Sequence, residues 1–195
     1  IKEAYRLMSF SLPLLLSAFL GFIITKTDIF MLGFLSTASA VGMYNVAFRI
    51  ASFSPFILAS VVGIFMPVIS VKIGAGKFEE VKELYFRATK WSIAPTLVII
   101  IILGVFSNFF LNIFGKEFLD ADMALKILLL TYLIHALTGP NGATLVALGE
   151  MRFIAFYTFL GASSNVILNL IMIPKYGISG AAIASLISIV TMNIL

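Results

Sequence analysis

Three ionised side chains, Lys26, Asp28 and Arg49, stand inside two long apolar segments that run from Leu12 to Ile73 and are joined by the uncharged link Leu35-Ser36-Thr37-Ala38. A charge at the centre of a bilayer costs about 3 kcal/mol or more and is tolerated where it meets a partner or a watery cavity. Two kinds of chemistry follow: a buried ion pair, or a cationic wall that receives an anionic group. Counted from Ser36 at about 1.5 Å per residue, Lys26 and Arg49 lie at similar heights, roughly 15 Å below the link. Lys26 and Asp28 are two residues apart, about 200° around a helix, so they cannot face the same neighbour. Asp28 is the electrostatic choice for a partner to Arg49, with Lys26 extending outward along the apolar surface. Asn45, Arg49 and Ser52 follow i, i+4, i+7 and make one polar stripe.

Other polar groups lie in later apolar segments. Thr158, Ala162, Asn165 and Asn169 share one helical face; they suit either packing between helices or a polar lining. His135, the single histidine, precedes a Gly-Pro break. It suits a proton relay, because its charge changes near neutrality, or a hydrogen bond across helices. Gly180 and Ala184 form a small-xxx-small packing pair. No phosphate loop, His-x-x-x-His pair or nucleophile elbow is present, so the residues point to no enzyme, no metal and no cofactor. Glu79, Glu80 and Glu83 are interleaved with lysines and read as a solvated face.

The elements that must position these groups are helices in lipid. The chain is 61% hydrophobic and 11% charged, with a mean hydropathy of +1.12. That is more apolar surface than a soluble domain of this size covers. Uniform runs such as 97–103 exclude the alternating pattern of an outer-membrane barrel. The absence of cysteine excludes disulfides and thiolate sites. The net charge of +4 is read by location in a membrane protein and does not indicate nucleic acid.

At about 20 residues per crossing, six helices are expected, at about 7–34, 40–73, 91–114, 123–148, 153–173 and 178–195. They form an all-α, six-helix transmembrane bundle over residues 1–195. Pro55 and Pro67 are expected to kink the second helix, and Thr138-Gly139-Pro140-Asn141-Gly142 to interrupt the fourth. Residues 74–90 read as an amphipathic connector on the membrane surface, with Phe78, Val81, Leu84 and Tyr85 as its apolar face. Trp91 marks an interface. Basic residues gather on the side of the connector and of the 149–152 turn, which puts that side and the start of the chain in the cytoplasm, as a multi-pass protein of the cell membrane. A start without Met and a stop within an apolar run read as a fragment.

Four stretches carry a family resemblance: Asp28-Ile-Phe-Met-Leu-Gly33, Val41-Gly42-Met-Tyr44-Asn-Val-Ala47-Phe-Arg49-Ile, Met66-Pro67-Val-Ile-Ser70 and Tyr176-Gly177-Ile-Ser-Gly180-Ala181-Ala182-Ile-Ala184. The chain resembles the polysaccharide transporters, or lipid-linked oligosaccharide flippases, of the multidrug/oligosaccharidyl-lipid/polysaccharide exporter superfamily. The resemblance implies two six-helix bundles, of which this chain is similar to the second, with a missing N-terminal half closing a central cavity. It implies alternating access for a polyprenyl-linked glycan whose tail stays in the lipid bilayer. Lys26, Asp28, Asn45 and Arg49 would line that cavity, joined by His135, Asn165 and Asn169. A cation-coupled multidrug exporter of the same superfamily and a non-transporting scaffold for glycan assembly, docked through 74–90, are the alternatives.

Overall fold

The structure, a computed structural model, describes residues 2–194; nothing is described of the side chains of residues 1–7, 9–10, 13–14, 17, 24–25 and 194–195. The charges expected at Lys2 and Arg6 therefore lie outside the described side chains. Among the described residues there is no strand; the elements are helices and one 3-10 turn.

Helix α1 covers Lys2–Leu35 and α2 covers Ala38–Ala51. The turn between them is set by Thr37, whose hydroxyl accepts the Ala40 N–H at 3.2 Å as an N-cap. The second expected helix is broken rather than bent. After a turn at 52–54, α3 covers Pro55–Gly74, with Pro55 in its first turn. Proline lacks the N–H that would continue α2 and its ring conflicts with the carbonyl four residues back, so the new helix begins at the proline. Pro67 stays inside α3.

Helix α4 covers Phe78–Val105 without interruption. The separate surface connector expected at 74–90 is therefore not a separate element. Good helix formers run across residue 90 with no Gly or Pro until Pro95, so nothing ends the helix there. Helix α5, Ser107–Asn112, and a 3-10 turn, Lys116–Ala121, lead to α6, Asp122–Thr138. Gly139 then adopts φ 70°, and a Cβ there would strike the Thr89 side chain, so the position requires glycine. Helix α7, Asn141–Leu148, follows, as the Gly-Pro run led one to expect.

The final helix, α8, covers Met151–Ile194 and doubles back at Gly177, whose φ of 57° and ψ of −133° are not helical. Its two arms are antiparallel: Ser164 meets Ser188 and Asn165 meets Ser185, each at 3.4 Å. Gly180 lies against the carbonyl of Met172, where a side chain would not fit. Helices α1 and α6 pack along α8, and α3 and α4 pack together. Among the described residues, four stretches are long and apolar enough to cross a membrane: Pro55–Gly74, Phe78–Val105, Lys116–Thr138 and Met151–Asn193. The protein is an all-α polytopic membrane protein.

The close arms of α8 generate a test. Gly180→Ala forces the arms apart and is expected to destabilise the full-length protein by about 1–3 kcal/mol, the cost of overpacking. Gly63→Ala, at a position with open space, is expected to leave the melting temperature unchanged or slightly raised. Thermal unfolding in detergent compares the two.

Candidate functional site: a sealed carboxylate and two open cations

Asp28 is 3% exposed. Its two carboxylate oxygens offer about four lone-pair sites, and four neutral donors fill them. Tyr44 of α2 donates its hydroxyl to Oδ2 at 2.5 Å, and the Ser185 hydroxyl donates to the same oxygen. Asn169 and Asn165 of the first arm of α8 donate Nδ2 to Oδ1 at 2.7 and 3.2 Å. Asn169 also donates to Asn165 Oδ1 at 3.1 Å. The carboxylate thus ties α1 to α2 and to both arms of α8. One group in the cluster is left over: Asn169 Oδ1 is buried and has no partner among the described residues.

The expected pair between Asp28 and Arg49 is not formed. Tyr44 belongs to the buried face of α2 with Ala47 and Ala51. Arg49 lies five residues beyond Tyr44, about 140° around the helix, and so points away from that face. It is exposed, and its Nε donates to Asn45 Oδ1 at 3.2 Å. Ser52 donates to the Arg49 carbonyl at 2.7 Å. The stripe Asn45, Arg49, Ser52 is therefore real, but it lines the outer side of the helix. Lys26, half-buried, faces away from Asp28 as its spacing required. Neither Lys26 nor Arg49 has an ion pair among the described residues; those recorded join Glu80 to Lys72 and Lys77, Glu83 to Arg87 and Asp122 to Lys126.

The sequence-derived site residues thus fall into three places. Asp28, Asn165 and Asn169 form the sealed cluster, with both asparagines fully buried rather than on an open wall. Lys26, Asn45 and Arg49 are partly or fully exposed on α1 and α2. His135 lines a cavity of about 470 Å³ between the α2–α3 and α6–α7 breaks, beside Asn193. A second cavity, of about 580 Å³, shares Asn141, Tyr157, Met192 and Asn193 with it. Thr138 and Asn141 donate to Asn193 Oδ1 at 2.8 and 3.1 Å. Among the described residues, no Lys, Arg, Asp or Glu lines either cavity. Sequence reasoning missed Tyr44 and Ser185. Tyr44 carried a signal, since Asp28 and Tyr44 are each eight residues from Ser36 and must lie level across the turn.

Apolar helices interrupted within their length recur in secondary transporters. Residues 13–171 match the MatE family, and the chain belongs to that family, one of transporters rather than of an enzyme class. Over its full length it is 28% identical to a probable low-salt glycan biosynthesis flippase, Agl15, of Haloferax volcanii, covering 41% of that relative. Over 86% of its length it is 27% identical to a probable flippase of the same organism, AglR, covering 36% of it. The chain spans less than half the length of these relatives. Its fold matches that of a multidrug resistance MATE family transporter of the MOP superfamily, solved outward-facing. The TM-score is 0.81 at 19% identity, over 95% of this chain and 42% of that one. A MOP superfamily transporter from Pyrococcus furiosus matches with a TM-score of 0.71 at 20% identity, over the same shares.

The cluster geometry makes a discriminating prediction. Asn169→Ala removes a donor from a buried carboxylate and is expected to cost about 1–3 kcal/mol of stability. In a double-mutant cycle, Asp28→Asn and Asn169→Ala should couple by about 0.5 kcal/mol or more, whereas Asp28→Asn and Arg49→Ala should add. Strong coupling in the second cycle would restore the Asp28–Arg49 pair.

Proposed function

We propose that the full protein is a flippase of lipid-linked glycans working by alternating access, and that this chain supplies one of its two bundles. The observation that carries the reading is the segregation of charge. The acid is sealed within the bundle, while Lys26 and Arg49 stand without ion pairs among the described residues, on the exposed side of α1 and α2. Against a second bundle, that side becomes the wall of a central cavity. A cationic wall receives a pyrophosphate head group, through charge-assisted hydrogen bonds that arginine makes in pairs. The neutral aromatic and amide lining at the α6–α7 break suits the sugar, whose hydroxyls need hydrogen bonds and whose rings stack on aromatic faces. The polyprenyl tail stays in lipid throughout. The relatives named as flippases support the same substrate class. The excess of basic residues along 72–90 and at Arg152 supports a cytoplasmic position for that end of the bundle.

The sealed acid has a second part in this reading. Its partners are neutral donors, and Asn169 Oδ1 is an acceptor with no donor among the described residues. A proton or a small cation entering there would neutralise Asp28 and occupy that acceptor. Filling the site would change what the four donors hold, and with it the packing of α1 and α2 on α8. The same observation favours the second reading, a cation-coupled drug exporter, whose coupling also needs a buried acid.

Full-length protein in proteoliposomes separates them. Labelled polyprenyl-pyrophosphate oligosaccharide should cross with the wild type, and Arg49→Ala should slow it by about tenfold or more, the worth of a charge-assisted hydrogen bond. Unchanged transport in the folded variant would remove Arg49 from the path. Asp28→Asn should make transport insensitive to an imposed proton or sodium gradient. Efflux of cationic drugs without any glycan translocation would establish the exporter instead.

A further inference from the structure

Helix α4 changes character at one residue. Charged side chains recur from Glu79 to Lys90, and then none occurs over residues 91–115. The inward face is Val81, Ala88, Ser92, Thr96 and Leu103, all buried. On the opposite side runs an exposed stripe at helical spacing: Lys82, Phe86, Lys90, Ala94, Leu97 and Ile101. In order along the stripe these are a cation, an aromatic ring, a cation and an apolar track. Trp91, beside Lys90, is 77% exposed, as a residue of an interfacial belt is.

Two shallow cavities meet at Lys90. One, of about 460 Å³, is lined on its polar side by Glu83, Arg87 and Thr89; the other, of about 520 Å³, lies over Trp91, Ala94 and Pro95. Glu83 is already engaged, accepting from Arg87 at 2.6 Å. Lys82 and Lys90 have no ion pair among the described residues. Pro95, lacking an N–H, deprives the Trp91 carbonyl of its usual donor. The second cavity has a cation at its rim, directly above an apolar track.

We infer that this face of α4 is a binding site for an anionic phospholipid of the bilayer. The phosphodiester sits at Lys90, with Lys82 adding charge from the next turns. An acyl chain lies along Ala94, Leu97 and Ile101. Charge complementarity and the continuity of the stripe from polar to apolar select a lipid over a soluble anion, which would use the lysines and leave the track bare. The site is independent of what the protein transports.

The test uses full-length protein in nanodiscs of phosphatidylcholine mixed with phosphatidylglycerol, with retained lipids counted by native mass spectrometry. The wild type should retain phosphatidylglycerol in preference. A lysine near an anionic surface is worth about fivefold in affinity, so the double variant Lys82→Gln, Lys90→Gln should lose roughly tenfold or more of that preference. Lys116→Gln with Lys175→Gln, at distant positions, should keep it. An unchanged preference in the first pair, an equal loss in the second, or no preference in the wild type would each overturn the site. Competition by inorganic phosphate that abolishes the preference would reassign the lysines to a free anion and overturn it as well.

Discussion

A carboxylate taken out of water must have its lone pairs met, because an unmet ionised group inside a bundle costs far more than any single apolar contact returns. Asp28 meets this demand with two hydroxyls and two amides drawn from α2 and from both arms of α8. Each donor has to arrive at the right height and on the right face. The turn at Thr37 must bring Tyr44 level with Asp28, and the reversal at Gly177 must bring Ser185 level with Asn165. The antiparallel pairing of α8 and the close packing at Gly180 are therefore conditions of the cluster as well as features of the fold.

The same demand explains why the two basic groups are elsewhere. With four donors on four acceptor sites, Asp28 has no lone pair left for a guanidinium, and the face of α2 that reaches it is taken by Tyr44. Arg49 is left to the outer side, where Asn45 accepts from it. Charge is segregated by valence and helical phase. An arginine in that position is tolerable in lipid only against a watery or protein-lined space, which is what a second bundle would create.

Much of this was legible in the residues. Composition and run length specify an all-α membrane protein, and the Gly-Pro run and the Pro174 to Gly177 segment mark where helices break or turn. The i, i+4 spacing of Asn165 and Asn169 puts them on one face, and the two-residue spacing of Lys26 and Asp28 forces them apart. What was not legible is which neighbour each face meets. The pairing of Asp28 with Arg49 followed from charge alone, whereas the structure chooses neutral donors because their heights and faces fit. Period and polarity also suggested a connector separate from the third helix, but no breaker lies between Phe78 and Pro95, and α4 runs through. A change in polarity marks a change of solvent along a helix; it does not end one.

Two scales of polarity therefore coexist in the bundle. Around Asp28 every donor is committed, and the cluster holds α1, α2 and α8 as one unit. At the α2–α3 and α6–α7 breaks the polar groups border open volume, with Tyr157 lining both cavities and Asn193 collecting donors from Thr138 and Asn141. Helices α3 and α7 join the rest of the chain through these breaks, and α3 packs on α4 and α7. The cluster and the breaks thus divide the bundle into a part tied together by hydrogen bonds and a part joined to it through interrupted helices. The second arm of α8 links them: Ser185 binds the acid, and Asn193, two turns further on, closes the cavity. The first arm makes the same connection, because Asn165 also binds the acid and Tyr157, eight residues before it, lines both cavities.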